Sequence, residues 1–172
     1  MHSSAAPAAS PHKRILLIAF VTIFLDLLGF GIIIPIQPFY AEAFGARPFT
    51  VTMLGASYSA MQFFFAPFWG SLSDRIGRRP VILFSIAINI FGYLLFGLAG
   101  SLGMLFAARM LSGFGSANIG AIQAVIADST PPSERAKGMG IIGAAFGLGF
   151  ILGPAIGSIM GQCLLYKHSL PV

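Results

Sequence analysis

Five long apolar segments restrict the fold of this chain more than any other feature. They cover residues 15–36, 51–69, 80–99, 102–127 and 138–161. A helix needs about 20 apolar residues to cross the hydrocarbon core of a bilayer. A membrane β-barrel would instead show short strands of alternating apolar and polar residues, whereas these segments are continuously apolar. The sequence therefore predicts an all-α membrane protein with five transmembrane helices.

The composition supports the same class. Charged residues make up 9% of the chain and hydrophobic residues 56%, whereas a soluble domain has about 25% charged residues. So few charges cannot cover a water-facing surface, and we expect the lipid bilayer to surround the protein. The single cysteine allows no internal disulfide and suggests no metal cluster, and no cofactor is expected. The net charge of +5 is explained by membrane topology rather than by a nucleic acid partner.

Basic residues are distributed unequally between the two ends of the predicted helices. Cytoplasmic loops are enriched in Lys and Arg, so the richer side is assigned to the cytoplasm. The N-terminus then lies inside, residues 1–14 form a disordered cytoplasmic tail, and residues 162–172 form an extracytoplasmic loop. The residues on the cytoplasmic side are Lys13, Arg14, Arg75, Arg78, Arg79, Arg135 and Lys137, against Arg47 and Lys167 on the other side.

Two charged residues, Asp26 and Arg109, lie well inside predicted spans. A charge at mid-membrane costs roughly 2.5–3.5 kcal/mol on insertion scales, so such residues usually face a bundle interior or a cavity and are usually functional. Asp26 lies near the midplane, where a carboxyl group can load and release a proton. The alternative is a buried pair that only fixes helix packing. Arg109 can pair with Asp26, bind an anionic group, or act on another carboxylate.

Polar amides also occur inside the spans. Each is explained most simply by a hydrogen bond between helices, worth about 0.6 kcal/mol, but together they are candidates for lining a cavity. The candidates are Gln62, Asn118 and Gln123, and Asn89 is a further amide of this kind.

The last apolar segment carries a glycine stripe. Gly149, Gly153, Gly157 and Gly161 recur at every fourth residue, which places them on one helix face where another backbone can approach closely. Pro154 lies within the stripe and is expected to kink the helix, because proline removes a backbone donor and clashes with the preceding turn. Such a face suits tight packing, and also a helix that slides or rocks.

The loop between the second and third segments carries a specific motif. Residues 70–80 read GSLSDRIGRRP. This resembles the loop between helices 2 and 3 of the Major Facilitator Superfamily, whose pattern is G-x-L-x-D-R-x-G-R-R/K. The matching residues are Gly70, Leu72, Asp74, Arg75, Gly77, Arg78 and Arg79.

Three further motifs resemble the same family, in the correct order. They lie at the end of the first segment, in the fourth around Arg109, and in the fifth along the glycine stripe. The fourth has Ser112 where glutamine is usual, and the fifth, which is associated with antiporters, has Ser158 in place of its final glycine. Asp26 before Leu27-Leu28-Gly29 is similar to the proton:drug antiporter branch, in particular its tetracycline-efflux members.

The resemblance implies roles for individual residues. Asp26 and Arg109 would couple protons to substrate movement, and the glycine and proline motif of Gly149, Gly153, Pro154 and Gly157 would shape the gating helix. A cytoplasmic latch would be formed by Gly70, Asp74, Arg75, Gly77, Arg78 and Asp128. The implied function is transport rather than enzyme catalysis: proton-coupled efflux of small amphipathic drugs such as tetracycline, across the bacterial inner membrane.

The resemblance also implies a larger assembly. Family members have twelve helices in two six-helix halves, so residues 15–161 correspond to part of the N-terminal bundle. We expect the chain to be an N-terminal fragment that needs a C-terminal half to transport a small molecule and protons. Two alternatives stay open: a facilitator-type symporter of nutrients, and a non-transporting membrane fragment that acts by helix association.

The charge distribution predicts which loops can be labelled from outside the cell. In a variant with Cys163 removed, a cysteine at Ile76 should resist an impermeant thiol reagent in intact cells and react after permeabilisation. A cysteine at Arg47, on the opposite side, should react in intact cells. Labelling of position 76 from outside would overturn the topology.

Overall fold

The computed structural model describes the backbone of residues 11–168 and the side chains of residues 16–162. All regular secondary structure in this part of the chain is helical. Its elements are α1 (Pro11–Ala43), α2 (Pro48–Ile76), α3 (Arg78–Gly97), α4 (Leu102–Gly115), a 3₁₀ turn (Ser116–Asn118), α5 (Ile119–Ser129) and α6 (Arg135–His168).

The ends of the first and last helices differ from the predicted spans. α1 continues past Ile36, through Pro35 and Pro38, to Ala43. Proline is tolerated in membrane helices because neighbouring helices and side chains satisfy the freed backbone groups. α6 continues to His168 where a loop was predicted from residue 162, because no proline or glycine interrupts residues 162–168. The predicted tail lies outside the described residues except for 11–14, which are helical.

Among the described residues, four helical stretches are long and apolar enough to cross a membrane. α2 has 29 residues but is less apolar, so the prediction of five apolar spans is matched in four. The reason is a set of Ser, Thr, Tyr and Gln side chains, several of which face the bundle interior. The four stretches are Leu16–Ala43, Arg78–Gly97, Leu102–Ser129 and Arg135–Gln162.

The third of these stretches is interrupted by the 3₁₀ turn between α4 and α5. The turn follows two glycines, Gly113 and Gly115, which weaken the helix. Side chains from α2 satisfy carbonyls at the break: Trp69 Nε1 donates to Phe114 O at 2.7 Å, and Gln62 Nε2 donates to Ser116 O at 3.2 Å. The interruption is therefore held by specific hydrogen bonds. A 3₁₀ stretch inside a helix often marks a functional hinge.

α1 and α6 pack together along the glycine stripe. A Cβ at Gly153 would lie 2.7 Å from Gly31 Cα, and one at Gly149 would lie 2.7 Å from Leu27 Cβ. These separations are too short for any side chain, so the two backbones meet directly, as the spacing of the glycines predicts. The other side of α6 is exposed, and there Gly147 has open space where a Cβ would be.

Buried side chains form apolar clusters between the helices. One joins α1, α5 and α6 through Ile23, Ile126 and Ala145, and another joins α1, α2 and α4 through Ile33, Leu54 and Leu105. Large apolar side chains also cover the outside of the bundle. Examples are Phe63, Phe64, Leu83, Phe91, Ile151 and Ile159. This distribution suits a protein surrounded by lipid.

The glycine contact predicts a strong position dependence within α6. Gly153→Leu should lower the free energy of unfolding in detergent by about 1–3 kcal/mol, the usual effect of overpacking. Gly147→Leu introduces the same side chain into open space, and Phe64→Leu changes an exposed apolar residue, so both should have smaller effects. Equal destabilisation by the three substitutions would contradict the packing.

Candidate functional site

Asp26 lies inside the bundle, with 8% of its surface exposed. Its Oδ1 accepts a hydrogen bond of 2.8 Å from Asn89 Nδ2 on α3. Tyr93, one helical turn further along α3, donates its hydroxyl to the Asp26 carbonyl at 3.0 Å. Gly29 makes room for this contact, because the Tyr93 ring occupies the place of a side chain there. α3 thus holds both the side chain and the backbone of Asp26.

The other carboxylate oxygen, Asp26 Oδ2, is buried and has no hydrogen-bond partner among the described residues. A proton added to Oδ2 would therefore break no hydrogen bond.

The hydrogen bonds continue from Asn89 into the 3₁₀ turn. Asn89 Nδ2 also lies 2.9 Å from Ser116 Oγ, and Ser116 Oγ donates to Asn89 Oδ1 at 3.2 Å. Next to this pair, Asn118 Nδ2 donates to Ser85 Oγ. We call Asp26, Asn89, Ser116, Asn118 and Ser85 the polar network. It joins α1 and α3 to the turn that interrupts the fourth span.

Arg109 occupies a different environment. It is 2% exposed, and its guanidinium carbon lies 5.3 Å from the centre of the Phe30 ring and 4.7 Å from that of Tyr58. Its Nε and Nη1 atoms have no hydrogen-bond partner in the described structure. Among the described side chains no salt bridge joins it to Asp26. Of the three possibilities for Arg109, the ion pair with Asp26 is therefore not formed here.

Arg109 borders a cavity of about 500 Å³ between α1, α2 and α4. The wall is largely apolar. Gln37 adds a second polar group: its Nε2 donates to Val51 O at 3.0 Å, while its Oε1 is buried without a partner. The lining residues are Phe30, Ile34, Gln37, Val51, Thr52, Gly55, Ala56, Ser59 and Arg109.

The three amides proposed as cavity-lining residues lie elsewhere. Gln62 donates to the carbonyl of Ser116, Asn118 is fully buried beside Ser85, and Gln123 is on an exposed part of α5. None of them lines the cavity beside Arg109. For Gln62 and Asn118, the simpler interpretation as hydrogen bonds between helical elements matches the structure.

The charged loop brings together part of the predicted latch. Arg78 Nη1 lies 3.0 Å from Asp74 Oδ1, and Arg78 Nη2 lies 3.1 Å from Asp128 Oδ2. One arginine thus connects the end of α2, the start of α3 and the end of α5. Gly77, with φ of 98°, makes the one-residue turn between α2 and α3 in a backbone conformation that favours glycine.

Arg75 is exposed, and Gly70 contributes its carbonyl to the hydroxyl of Ser73. A latch role for the whole set stays a prediction.

The glycine and proline motif reaches the same part of α1 as Asp26. Gly149, Gly153 and Gly157 contact the stretch from Leu27 to Pro35, which follows Asp26 directly, and Pro154 lies against Gly31. A displacement of α6 would therefore act on α1 next to the carboxyl group.

Several residues of the site were not predicted as functional from the sequence. Asn89 was noted only as one amide among several, and Ser116 and Tyr93 carried no motif that marks them. Gln37 lay in the motif at the end of the first segment but was given no role of its own. Polar residues inside apolar spans were the available signal. Residues 16–162 hold no group of three His, Cys, Asp or Glu side chains that could bind a metal ion.

Comparison with known proteins gives consistent matches. The Major Facilitator Superfamily matches residues 19–164. The chain is 43% identical over 148 residues to the class B tetracycline resistance protein of Escherichia coli, covering 84% of this chain and 37% of that protein. It is 32% identical over 180 residues to major facilitator superfamily domain-containing protein 10 of Bos taurus, covering 88% of this chain and 40% of that protein.

A solved structure also matches. The crystal structure of the human organic anion transporter MFSD10 (TETRAN) superposes with a TM-score of 0.74 at 29% identity, covering 86% of this chain and 42% of that one. The chain thus spans less than half the length of each of these relatives.

The polar network predicts energetic coupling between α3 and the 3₁₀ turn. Asn89→Ala and Ser116→Ala should each lower the free energy of unfolding. The loss in the double variant should be smaller than the sum of the two single losses by about 0.6–1.7 kcal/mol, the range of such hydrogen bonds in membrane proteins. Unfolding in mixed micelles measures these free energies. Asn89→Ala combined with Ser158→Ala, whose hydroxyl bonds within α6, should be additive. Additivity in both pairs would refute the network.

Proposed function

Because the chain belongs to the Major Facilitator Superfamily, whose members are transporters and not enzymes, we propose that it forms the first helical bundle of a proton-coupled antiporter. The proposed activity is efflux of small amphipathic drugs in exchange for protons. The tetracycline resistance proteins among its relatives support this direction of transport. The bacterial sources of those relatives support the bacterial inner membrane as its location.

The state of Asp26 carries this proposal. The carboxyl group is buried inside the bundle, one oxygen is held by Asn89, and the other has no hydrogen-bond partner among the described residues. Such an oxygen can take up a proton without loss of a hydrogen bond, and intramembrane acids of this kind mark proton pathways. Asp26 is thus our candidate for the proton-binding group.

The contacts around Asp26 suggest how proton binding acts on the helices. Neutralising the carboxylate weakens its bond to Asn89, since hydrogen bonds to charged groups are the stronger ones. Asn89 is bonded to the 3₁₀ turn, and α1 beyond Asp26 packs on the glycines of α6. Proton uptake would therefore shift α1 relative to α3 and α6, which are the contacts that a rocking motion must change.

The five-span arrangement and the topology are parts of the same proposal. α2 would also cross the membrane, which brings the number of spans to five. Its polar side chains would face the Arg109 cavity and the 3₁₀ turn. The end that carries Arg78, Asp74 and Asp128 would face the cytoplasm, together with the N-terminus. There the three residues would close the bundle as a latch, and Arg75 would contact a second bundle.

Transport in this family depends on two bundles that move against each other around a central site. We therefore propose that this bundle functions together with a second one, as the resemblance implies. The exposed apolar faces of α2 and α6 offer surfaces on which such a bundle, or lipid, can pack.

Proton coupling is tested in proteoliposomes that contain this bundle together with its second bundle. Asp26→Asn keeps the side-chain size but cannot exchange a proton. It should therefore lower the rate of tetracycline transport driven by a proton gradient by about 100-fold, or to background. Exchange of labelled for unlabelled substrate without a gradient should persist, which shows that the variant is folded.

Phe64→Leu, an exposed residue outside the network, serves as the control and should transport normally. Gradient-driven transport by Asp26→Asn at the control rate would sink the proposed role.

A further inference from the structure

We infer that the Arg109 cavity is a binding site for the anionic group of an amphipathic organic anion. This inference rests on the proposed transport function and narrows its substrate class. It assigns Arg109 a different task from Asp26: Asp26 exchanges the proton, while Arg109 holds the negative charge of the substrate.

The first argument is the unpaired charge. Arginine stays cationic in proteins, and Arg109 is 2% exposed. Two of its nitrogens, Nε and Nη1, are buried without a hydrogen-bond partner. Buried charges are normally paired, because burial without a partner is strongly unfavourable. The guanidinium is therefore short of an anion, and Nε and Nη1 are donors without an acceptor among the described residues.

The second argument is that no carboxylate of the described residues fills this role. The cavity wall contains no Asp or Glu, and the one acidic side chain buried nearby, Asp26, is bonded to Asn89 instead. The anion that neutralises Arg109 must then come from outside this bundle. A ligand in the cavity is the nearest source, since Arg109 is part of the cavity wall.

The third argument is orientation. Phe30 and Tyr58 both pack against the guanidinium, at 5.3 and 4.7 Å. Cation–π contacts of this kind stabilise the arginine while leaving its donors free. The two rings restrict where the guanidinium can move, so the side chain is held in place before a ligand arrives. Preorganised donors reduce the cost of binding.

The other residues of the cavity wall indicate the chemistry of the rest of the ligand. Ile34, Val51, Gly55 and Ala56 provide apolar surface, and Gln37, Thr52 and Ser59 add polar side chains to the wall. A volume of about 500 Å³ lies within the range of small-molecule sites. The matching ligand has an apolar ring system with one carboxylate or enolate at its edge.

Binding to the 172-residue chain in nanodiscs tests the inference without any gradient. The probes are 2-naphthoate, its neutral analogue 2-naphthamide, and cationic 2-naphthylmethylammonium, measured by equilibrium binding of radiolabelled compound. We expect naphthoate to bind at least about tenfold more tightly than the other two, the effect of charge-assisted hydrogen bonds. Equal affinities, or a preference for the cation, would overturn the inference.

Variants assign the binding to Arg109. Arg109→Gln should remove the preference for naphthoate, whereas Arg79→Gln, at an exposed arginine outside the cavity, should leave it unchanged. Gly55→Leu fills the cavity while Arg109 is intact, so it should weaken naphthoate and naphthamide equally. This second variant keeps the test decisive if Arg109→Gln fails to fold. Naphthoate affinity unaffected by Gly55→Leu would place the site elsewhere.

A final arm repeats the binding with the second bundle present. Retained preference for naphthoate supports a substrate site. Loss of the preference there would mean that the second bundle supplies the partner of Arg109, which would overturn the assignment of substrate class. Neither outcome decides the role of Asp26 in proton coupling. That role is tested by gradient-driven transport, whereas equilibrium binding of naphthoate needs no gradient.

Discussion

The hydrogen bonds of the Asn89 amide are the interaction on which the rest of the site depends. The amide bonds to Asp26 on one side and to Ser116 on the other. It thereby connects α1, α3 and the break in the fourth span within a region that excludes water. In such surroundings a polar group without a partner is costly, so the three elements can move apart only if other groups replace these bonds. Because of this constraint, protonation of the Asp26 carboxyl group can change the positions of α1 and α3.

Close backbone packing between α1 and α6 complements the polar network. The two backbones meet at the glycines of α6, and side chains such as Ile23 and Ala145 pack in a buried cluster beside this contact. At the far end, Arg78 connects three helix ends through partly exposed ion pairs, and such pairs are worth at most about 1 kcal/mol. The bundle thus combines a specific centre, a close lateral contact and a weak closure at one end.

The helical class, the places of the spans and the residues of the charged loop could be predicted from the sequence, because apolar length and motif spacing report them directly. The end of α1 could not, since prolines that break soluble helices are tolerated where neighbouring helices satisfy the backbone, while α6 continues because no proline or glycine interrupts residues 162–168. α2 deviates because its polar residues lower its hydropathy; Thr52 and Ser59 line the Arg109 cavity, and Gln62 bonds to the 3₁₀ turn.

The charges inside the spans identified Asp26 and Arg109, yet their partners were hidden from the sequence. Asn89 meets Asp26 between α3 and α1, Ser116 reaches Asn89 from the turn after Gly115, and Arg109 meets Phe30 and Tyr58 on two other helices. These contacts join residues far apart in the chain. The amides Gln62 and Asn118 lie inside the bundle without lining the cavity. A polar residue in a span thus indicates the bundle interior, but the tertiary structure decides whether it lines a cavity.

The central claim is that Asp26 binds a proton in contact with Asn89. Infrared difference spectroscopy with isotope-labelled aspartate tests it most directly, because Asp26 is the buried one of the three aspartates, while Asp74 and Asp128 are exposed. The account predicts a carboxylic acid C=O band that appears on acidification, is absent in Asp26→Asn, and shifts in frequency in Asn89→Ala. A band that survives in Asp26→Asn, or one that Asn89→Ala leaves unmoved, would contradict it.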